Sequence, residues 1–321
     1  MKYKDRRNVA PCSEEIARLR RLRAEAINAF DGQYLRLSEG LKDRAALAAY
    51  GARCDAVLCG SDQIWNPYNI GAKFYMLEWV GEKTAKIAYS PSFGVDTIPA
   101  VLRWKYIREL KTFRALSARE SSGQELLRSF GFPEAEWTLD PTMVVSGERW
   151  YELADRAKPC AGGGYVFCYF LGGLPLGREA ARALAAKKGL RVVSMPHLTG
   201  FAGADEQWKA DDEVFEAGVP EFLRLIRDAE YVITDSFHAS VFSVLFHKPF
   251  CAVRRHSQQR YSTNARLDSL LGMLGLESRM CASAAEVLEK MEAPVDYAHA
   301  DERLAHEREK TKRYLRNSLK V

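Results

Sequence analysis

Short apolar runs alternate with longer amphipathic stretches along most of this 321-residue chain. Apolar runs bounded by turn residues predict buried strands, and the stretches between them repeat apolar positions with the period of a helix. The predicted strands cover residues 56–59, 86–90, 115–118, 137–139, 165–171, 191–194, 231–234 and 250–253, and helices are predicted around 16–30, 178–188, 221–229 and 301–319. Short buried strands that alternate with helices are typical of parallel, doubly wound α/β sheets.

Glycine and proline cluster near the middle of the chain, from Lys158-Pro159 through Gly162-Gly163-Gly164. Such a cluster between two sets of strands is typical of a domain linker. A chain of 321 residues is also long enough to bury two cores. We therefore predict two Rossmann-like domains, residues 1–157 and 158–297, that face each other across a cleft. A helix within residues 298–321 is predicted to pack back across the domain boundary.

Basic residues are concentrated at the two ends of the chain, between Lys2 and Arg23 and between Arg303 and Lys320. The formal net charge is only +5, from 47 Lys and Arg against 42 Asp and Glu. Solvated helix faces explain such a pattern, and so does contact with anionic lipid headgroups or a lipid-pyrophosphate acceptor. Nucleic-acid binding is not predicted, because no basic motif interleaved with aromatic residues accompanies the charge.

The cysteines and the apolar runs indicate the compartment. Seven cysteines, an odd number without a Cys-x-x-Cys pair, are typical of reduced thiols in a cytoplasm. No apolar signal segment follows the basic start, and the longest apolar run, Tyr165–Leu176, is too short to cross a bilayer. We expect a cytoplasmic protein, with peripheral membrane contact left open. His, Cys and carboxylate residues do not cluster with metal-ligand spacing, so no metal site is predicted.

The segment Thr234-Asp235-Ser236-Phe237-His238 lies where a predicted strand turns directly into a helix. This placement puts Ser236 at the helix N-cap and His238 in the first turn, where free backbone N–H groups and the helix dipole favour an anion. The same dipole favours a neutral imidazole, which can move a proton near pH 7. Two interpretations stay open: His238 and Asp235 act in proton transfer, or they only cap the helix.

A second polar segment, Gly60–Pro67, follows the predicted strand 56–59. The side chains that offer hydrogen bonds there are Ser61, Asp62, Gln63 and Asn66. Trp65 offers an aromatic face of the kind on which sugars stack, and the alternative is a structural loop with Trp65 in the core. Because both polar segments follow the carboxyl ends of strands, we expect them to face one cleft.

Three arginines also follow predicted strands. Arg254 and Arg255 come directly after strand 250–253, where a guanidinium can bind phosphate or carboxylate with two parallel hydrogen bonds. Adjacent residues of an extended chain point in opposite directions, so we expect only one of the two to enter the cleft. Arg119 ends another strand, and it either contacts an anionic ligand or forms an internal ion pair with Glu120.

Together, the two polar segments resemble the polysaccharide pyruvyl transferase family. Phe30 followed by Tyr34-Leu35-Arg36-Leu37-Ser38 is similar to the family's Phe…Tyr-Leu-x-Leu-Ser segment. Further matches are Ala88–Gly94, Ser117–Gly123, Leu139-Asp140-Pro141-Thr142-Met143, Lys248-Pro249-Phe250 and Asn264–Leu271. The matches occur in order from about residue 30 to about residue 280. The resemblance points to the two-domain arrangement that is called GT-B in glycosyltransferases.

The resemblance implies transfer of pyruvate from phosphoenolpyruvate onto a sugar of a surface polysaccharide or its lipid-linked precursor, with release of phosphate. The product is a cyclic ketal across two hydroxyls, and phosphoenolpyruvate is a co-substrate, so no cofactor is implied. This chemistry needs an acid for the enol methylene carbon, a base for the sugar hydroxyl, and cations for the donor's carboxylate and phosphate. We assign catalysis to His238 and Asp235, donor binding to Ser236, Arg119, Arg254 and Arg255, and acceptor binding to Ser61, Asp62, Gln63, Trp65 and Asn66.

Two other functions fit the same fold. A GT-B glycosyltransferase that uses a nucleotide sugar needs a nucleoside pocket with a ribose-binding carboxylate, and none is recognisable in the sequence. A non-catalytic sugar- or phosphate-binding relative is the second alternative. It is favoured by the start of the chain, where the family's first βαβ unit is expected to be missing, because Met1–Arg7 leads almost directly into a helix. The retained Asp-Ser-Phe-His segment and the arginines argue against it.

Overall fold

The computed structural model describes residues 14–68, 72–197, 208–255 and 264–320, the side chains of residues 72 and 73 excepted. The first half of the chain forms, in order, α1 (Glu14–Tyr34), α2 (Arg44–Gly51), β1 (Ala56–Cys59), α3 (Ala72–Tyr75), β2 (Ala85–Ala88), α4 (Ala100–Leu110), β3 (Ser117–Ala118), α5 (Ser121–Ser129), β4 (Glu136–Trp137), α6 (Pro141–Val144) and α7 (Gly147–Ala154). The second half forms β5 (Tyr165–Tyr169), α8 (Leu176–Lys188), β6 (Arg191–Ser194), β7 (Asp212–Glu213), α9 (Val219–Arg227), β8 (Tyr231–Thr234), α10 (Phe237–Leu245), β9 (Phe250–Val253), α11 (Ala265–Leu274), a 3-10 turn (Glu277–Arg279), β10 (Met280–Cys281), α12 (Ala284–Lys290) and α13 (Tyr297–Leu319).

The N-terminal strands are all parallel. β1 pairs with β2, and β3 pairs with β4. A bridge between Ile87 and Ala115 joins the two pairs, so the strand order is β1-β2-β3-β4. Trp65, Phe93 and Leu110 are fully buried among the large side chains that pack on this sheet. Because the strands are parallel, the loops after their carboxyl ends emerge at one edge.

The C-terminal sheet has six parallel strands in the order β10-β9-β8-β5-β6-β7. The chain order runs outward from β5 on one side and from β8 on the other, which is the doubly wound arrangement of Rossmann folds. Both faces are covered, because Phe167 lies in one apolar core and its neighbours Val166 and Cys168 lie in the other. The switch point lies between β5 and β8, where such folds bind ligands beyond the carboxyl ends of the strands.

All eight predicted strands are present. The strands at 56–59, 191–194, 231–234 and 250–253 have the predicted bounds, and the others are shorter than predicted. The edge strands β7 and β10 were not predicted, because two residues are too few to show a period.

Helix α13 contacts both sheets. The hydroxyl of Tyr314 donates a hydrogen bond to the carbonyl of Ala88 at 2.6 Å, and the N–H of Leu139 donates to the hydroxyl of Thr311 at 3.0 Å. At the other end of the helix, Leu304 is buried in the core of the C-terminal sheet. Met143 of α6 also lies in that core, ahead of residue 157. The domain bounds 1–157, 158–297 and 298–321 stay a prediction.

Several of the basic residues near the ends have partners inside the protein. Arg23 donates to the carbonyls of Pro196, Val214 and Phe215 at 2.6–3.1 Å and so fastens α1 to the C-terminal sheet. Arg308 donates to the carbonyls of Met143 and Val145. Along the described residues, no helix combines the length and the apolar character needed to span a membrane.

Candidate functional site

The polar residues that follow strands in the two sheets meet between the sheets. Ser61 and Asp62 follow β1, Arg119 follows β3, and Asp140 lies just beyond β4. From the other sheet, His238 lies in the first turn of α10. Its Nε2 is 3.7 Å from Oδ2 of Asp140, which in turn accepts a hydrogen bond from Nη1 of Arg119 at 2.8 Å. Side chains from both halves of the chain therefore form one cluster.

Helix α10 begins as the sequence predicts. Ser236 is the N-cap, and its hydroxyl accepts from the N–H of Ala239 at 3.4 Å. The N–H of Ser236 donates to the hydroxyl of Thr234 at 3.0 Å, which fixes the turn between strand and helix. His238 then projects from the first turn with 38% of its side chain exposed. The imidazole is more exposed than the side chains of Arg119 and Asp140, so a ligand can reach it directly.

Asp235 holds the loop at the switch point of the sheet. Its two carboxylate oxygens accept hydrogen bonds from the N–H groups of Leu171 and Gly172 at 2.7 and 2.8 Å. Asp235 is 4% exposed and is not the helix cap. Within the described part of the chain, the carboxylate in contact with His238 belongs to Asp140. The expectation that Asp235 orients or charge-balances His238 is therefore corrected.

Asp140 was not among the predicted site residues. It is 2% exposed, and Oδ2 contacts Arg119 and lies 3.0 Å from the hydroxyl of Ser61. Oδ1 accepts from the N–H and the hydroxyl of Thr142 at 3.0 and 2.7 Å, which caps α6. Burial by itself raises the pKa of the Asp140 carboxyl, but contact with His238 and Arg119 outweighs burial and holds that pKa well below its usual range. Its position just after a predicted strand was the signal that could have found it.

Arg119 lies beneath the cluster with its side chain 1% exposed. Nη2 donates to Oδ1 of Asp62 at 2.9 Å, and the guanidinium carbon is 4.4 Å from the centre of the Phe237 ring. The Asp62 side chain is 61% exposed, so this carboxylate faces the solvent above Arg119. Although burial raises the pKa of Asp62, the charges of Arg119, His238 and Arg266 lower it on balance.

The sequence left open an ion pair between Arg119 and Glu120, but the hydrogen bonds of Glu120 are made to other groups. Its Oε1 accepts hydrogen bonds from the hydroxyl of Ser92 and from the N–H groups of Phe93 and Gly94 at 2.9–3.3 Å. Burial raises the pKa of the Glu120 carboxyl. The hydrogen-bonding acids of Arg119 are thus Asp62 and Asp140, and Glu120 fixes the loop after β2.

Arg254 and Arg255 point in opposite directions, as strand alternation predicts. The Arg255 side chain is 13% exposed, and Nη2 donates to the carbonyl of Asp235 at 3.0 Å. The Arg254 side chain is 50% exposed and pairs with Asp268 at 3.4 Å on the surface. Of the two, Arg255 is the one that faces the polar cluster.

Arg266, in the first turn of α11, is a further residue that sequence reasoning missed. It is 5% exposed, and its Nη1 and Nη2 donate to the side-chain oxygen of Gln63 at 2.8 Å in the amide orientation that satisfies both groups. Nη1 is also 4.0 Å from Oδ1 of Asp62. Burial, followed by the charges of Arg119 and Arg255, lowers the pKa of Arg266 well below its usual value. The three arginines therefore crowd positive charge into a buried region.

Trp65 does not offer a face to a sugar. It is fully buried, with its ring centre 5.4 Å from that of Phe93 and 5.8 Å from that of Phe113. The prediction that Trp65 binds the acceptor is wrong, and its alternative, a core tryptophan, is correct. A half-buried tryptophan that the sequence did not single out, Trp137, lines an open groove of about 460 Å³ beside the cluster, together with Ser121 and Asp268.

The side chains of Gln63 and Asn66 pack closely against Gly94. The φ angle of Gly94 is +63°, and a Cβ there would lie 2.8 Å from the side-chain amide of Gln63 and 3.0 Å from that of Asn66. Asn66 also accepts from the N–H of Tyr68 at 2.9 Å. Only glycine fits both the conformation and the space, so the two amides are held in place. Among the residues that the structure describes, no group of three His, Cys, Asp or Glu side chains is arranged to hold a metal.

Comparison with known proteins identifies the family. The family model for polysaccharide pyruvyl transferase matches residues 3–257. The chain belongs to the polysaccharide pyruvyl transferase family. The members of this family are transferases, and both polar segments of this chain lie inside the matched range. No curated protein matches the sequence.

Two solved structures have a fold similar to that of this chain. The S. aureus MnaA–UDP complex is 12% identical, with a TM-score of 0.53, and the match covers 91% of this chain and 86% of that one. The UDP-GlcNAc 2-epimerase of Methanocaldococcus jannaschii, in complex with UDP-GlcNAc and UDP, is 11% identical, with a TM-score of 0.52 over 83% of this chain and 80% of that one. The predicted GT-B-like α/β fold is confirmed. The expected absence of a first βαβ unit stays a prediction.

Proposed function

We propose that this chain transfers pyruvate from phosphoenolpyruvate to a sugar of a surface polysaccharide, or of its lipid-linked precursor, as a cyclic ketal. Membership of the pyruvyl transferase family supports the reaction class. The observation that carries the proposal is a cluster of arginines, the buried Arg119 and Arg266 and the partly buried Arg255, next to the N-terminus of α10 and His238. Phosphoenolpyruvate carries a carboxylate and a phosphate, and both are anions that guanidinium groups bind well.

The arginine cluster is incompletely satisfied without a ligand. Within the described residues, Nε of Arg119 and Nε of Arg255 are buried and have no hydrogen-bond partner. A buried donor without a partner costs roughly 1–3 kcal/mol, and the oxygens of an anion would remove that cost. An anion would also reduce the repulsion that lowers the pKa of Arg266. The N–H groups at the start of α10 add to the attraction.

His238 is the proposed proton-transfer group. A proton must be added to the methylene carbon of phosphoenolpyruvate, which leaves an oxocarbenium-like centre at the neighbouring carbon. One sugar hydroxyl attacks that centre and loses its proton to a base, and a second hydroxyl then displaces phosphate to close the ketal. An imidazole can serve as acid and as base in such a sequence. Arginines at the phosphate stabilise the charge that develops as it leaves.

The acceptor is proposed to lie on the side of the Gly60–Pro67 segment. The exposed carboxylate of Asp62 can accept a hydrogen bond from a sugar hydroxyl, and Ser61, Gln63 and Asn66 lie in the same segment. Trp137, in the neighbouring groove, replaces Trp65 as the aromatic residue within reach of a sugar. Cytoplasmic location, metal-independent turnover, absence of nucleic-acid partners and peripheral contact with an anionic membrane belong to the same proposal.

Calorimetry distinguishes this function from the alternatives. The protein is titrated with phosphoenolpyruvate, with UDP-sugars and with GDP-sugars, in buffer that contains EDTA. We expect phosphoenolpyruvate to bind and the nucleotide sugars not to bind. Tight binding of a nucleotide sugar alone would contradict pyruvyl transfer and favour a glycosyltransferase. Binding of phosphoenolpyruvate without ketal formation on any acceptor would favour a non-catalytic relative.

A further inference from the structure

Asp140 is a buried carboxylate directly beneath the exposed imidazole of His238. The distance from Nε2 of His238 to Oδ2 of Asp140 is 3.7 Å, which is an ion-pair contact and longer than a hydrogen bond. In enzymes without bound substrate, catalytic contacts are often long and shorten when the substrate binds. Oδ2, the oxygen that faces His238, is held by Arg119 and Ser61, whereas Oδ1 accepts hydrogen bonds from the N–H and the hydroxyl of Thr142. Asp140 is thus a rigid group on which an imidazole can be oriented.

Two opposing fields act on His238. The N-terminus of α10 disfavours a positive imidazole, as do the nearby guanidinium groups. The carboxylate of Asp140 favours it, and so does Asp62, whose own pKa is lowered in part by His238. Arg119 lies between the two carboxylates and partly neutralises both. Asp140 is the carboxylate in direct contact with His238, so it is the one placed to orient the ring.

We propose that Asp140 is a positioning residue, whose carboxylate orients the His238 imidazole through Nε2. This inference rests on the proposed function. With Nε2 directed at Asp140, Nδ1 is the nitrogen that delivers the proton to the methylene carbon of phosphoenolpyruvate. Removal of the carboxylate charge leaves the ring free to turn.

The competing explanation is that Asp140 acts only in folding, as the cap of α6 and the partner of Arg119. The variant Asp140→Asn keeps the helix cap, because asparagine caps a helix as well as aspartate, and removes the charge that acts on both Arg119 and His238. Thr142→Val is the matched control. It removes the hydroxyl that donates to Oδ1 of Asp140 and leaves Oδ2, which faces His238, unchanged.

The kinetic test is the rate of phosphate release from phosphoenolpyruvate with a sugar acceptor. In Asp140→Asn, the maximal rate should fall by about tenfold or more, because the imidazole is no longer held in one orientation, and Thr142→Val should keep the wild-type rate. An unchanged rate in Asp140→Asn would overturn the inference.

A double variant shows whether Asp140 acts through His238. If it does, Asp140→Asn should cause little further loss of rate in a His238→Gln background, because the group it positions is already gone. An undiminished loss in that background would mean that Asp140 acts on folding or on Arg119, and the inference would be wrong.

Nitrogen NMR of the histidine side chains tests the inference without turnover. In the unliganded wild-type protein, the neutral His238 ring should carry its proton on Nε2, facing the carboxylate, and this preference should weaken in Asp140→Asn. A proton mainly on Nδ1 would overturn the inference, and this measurement decides it if Asp140→Asn does not fold. Absence of any turnover with phosphoenolpyruvate would count against the proposed function, while the NMR result would still judge the positioning role.

Discussion

Replacement of Arg255 by alanine, compared with the same change at Arg254, tests where the donor binds. The two residues are adjacent in the chain, carry the same charge and differ in direction. The Arg255 side chain is 13% exposed beside Asp235, whereas Arg254 is 50% exposed and pairs with Asp268. Any effect of net charge alone is therefore common to both variants. A difference between them reports on local contact with the ligand.

The expected magnitude follows from the contacts. A hydrogen bond to a charged partner contributes about 1.5–3 kcal/mol, so Arg255→Ala should weaken binding of phosphoenolpyruvate by about 10- to 150-fold. Arg254→Ala should change the affinity by less than about twofold, because an exposed charge is screened by salt. The fold should survive in both, since Asp235 keeps its hydrogen bonds from Leu171 and Gly172.

Calorimetric titration with phosphoenolpyruvate measures both affinities, and thermal unfolding of each variant serves as the control for folding. Arg255→Lys adds a second control, because lysine keeps the charge but cannot form two parallel hydrogen bonds; we expect an intermediate loss. Equal and negligible losses in Arg254→Ala and Arg255→Ala would place the donor anion elsewhere. A larger loss in Arg254→Ala would mean that the surface, and not the buried cluster, binds it.

Three further predictions concern other parts of the account. Trp65→Ala should reduce the free energy of unfolding by about 3–5 kcal/mol, measured by urea denaturation, because a fully buried ring is lost; a stable variant with impaired sugar binding would restore its predicted acceptor role. The wild type should have a higher free energy of unfolding than Asp140→Asn, by an amount that is constant above about pH 5 and shrinks as the pH falls. Because the pKa of Asp140 is lowered in the folded state, its carboxylate stabilises the fold at pH values above the unfolded-state pKa of about 3.9, and this stabilisation is lost as the pH falls toward the folded-state pKa. A difference between wild type and variant that grows in acid would contradict this reasoning. Phosphate release should continue in excess EDTA, and its loss, with recovery on addition of a divalent ion, would reveal a metal requirement.

The sequence predicts the parts of the fold that depend on local pattern. Strands such as Tyr231–Thr234 show as short apolar runs, and Ser236 shows as a cap because it stands between a strand and a helix. The placement of polar residues at the carboxyl ends of strands follows from parallel topology. The two-residue strands Asp212–Glu213 and Met280–Cys281 have no readable period, so they were missed.

Contacts between the two halves of the chain are harder to predict from the sequence. Asp235 is the acid nearest to His238 along the sequence, but Asp140 is the one in contact, because folding brings the end of β4 against α10. Arg266 lies inside a helix, where a single arginine usually faces solvent, and only its burial distinguishes it. Trp65 follows a strand, where a ligand-binding side chain is expected, but Phe93 and Phe113 from distant parts of the sequence pack against its ring.

The central claim is that His238 transfers a proton while pyruvate moves from phosphoenolpyruvate to a sugar. Its most direct test uses phosphoenolpyruvate labelled with carbon-13 at the methylene carbon, a panel of sugars with neighbouring hydroxyls, and NMR detection of the ketal methyl group. The account predicts that the wild-type chain forms this methyl group and that His238→Gln forms it more slowly by about two to four powers of ten. Affinity for phosphoenolpyruvate and thermal stability should change little, since the arginines and the helix N-terminus remain. A His238→Gln variant that forms the ketal at nearly the wild-type rate would contradict the account.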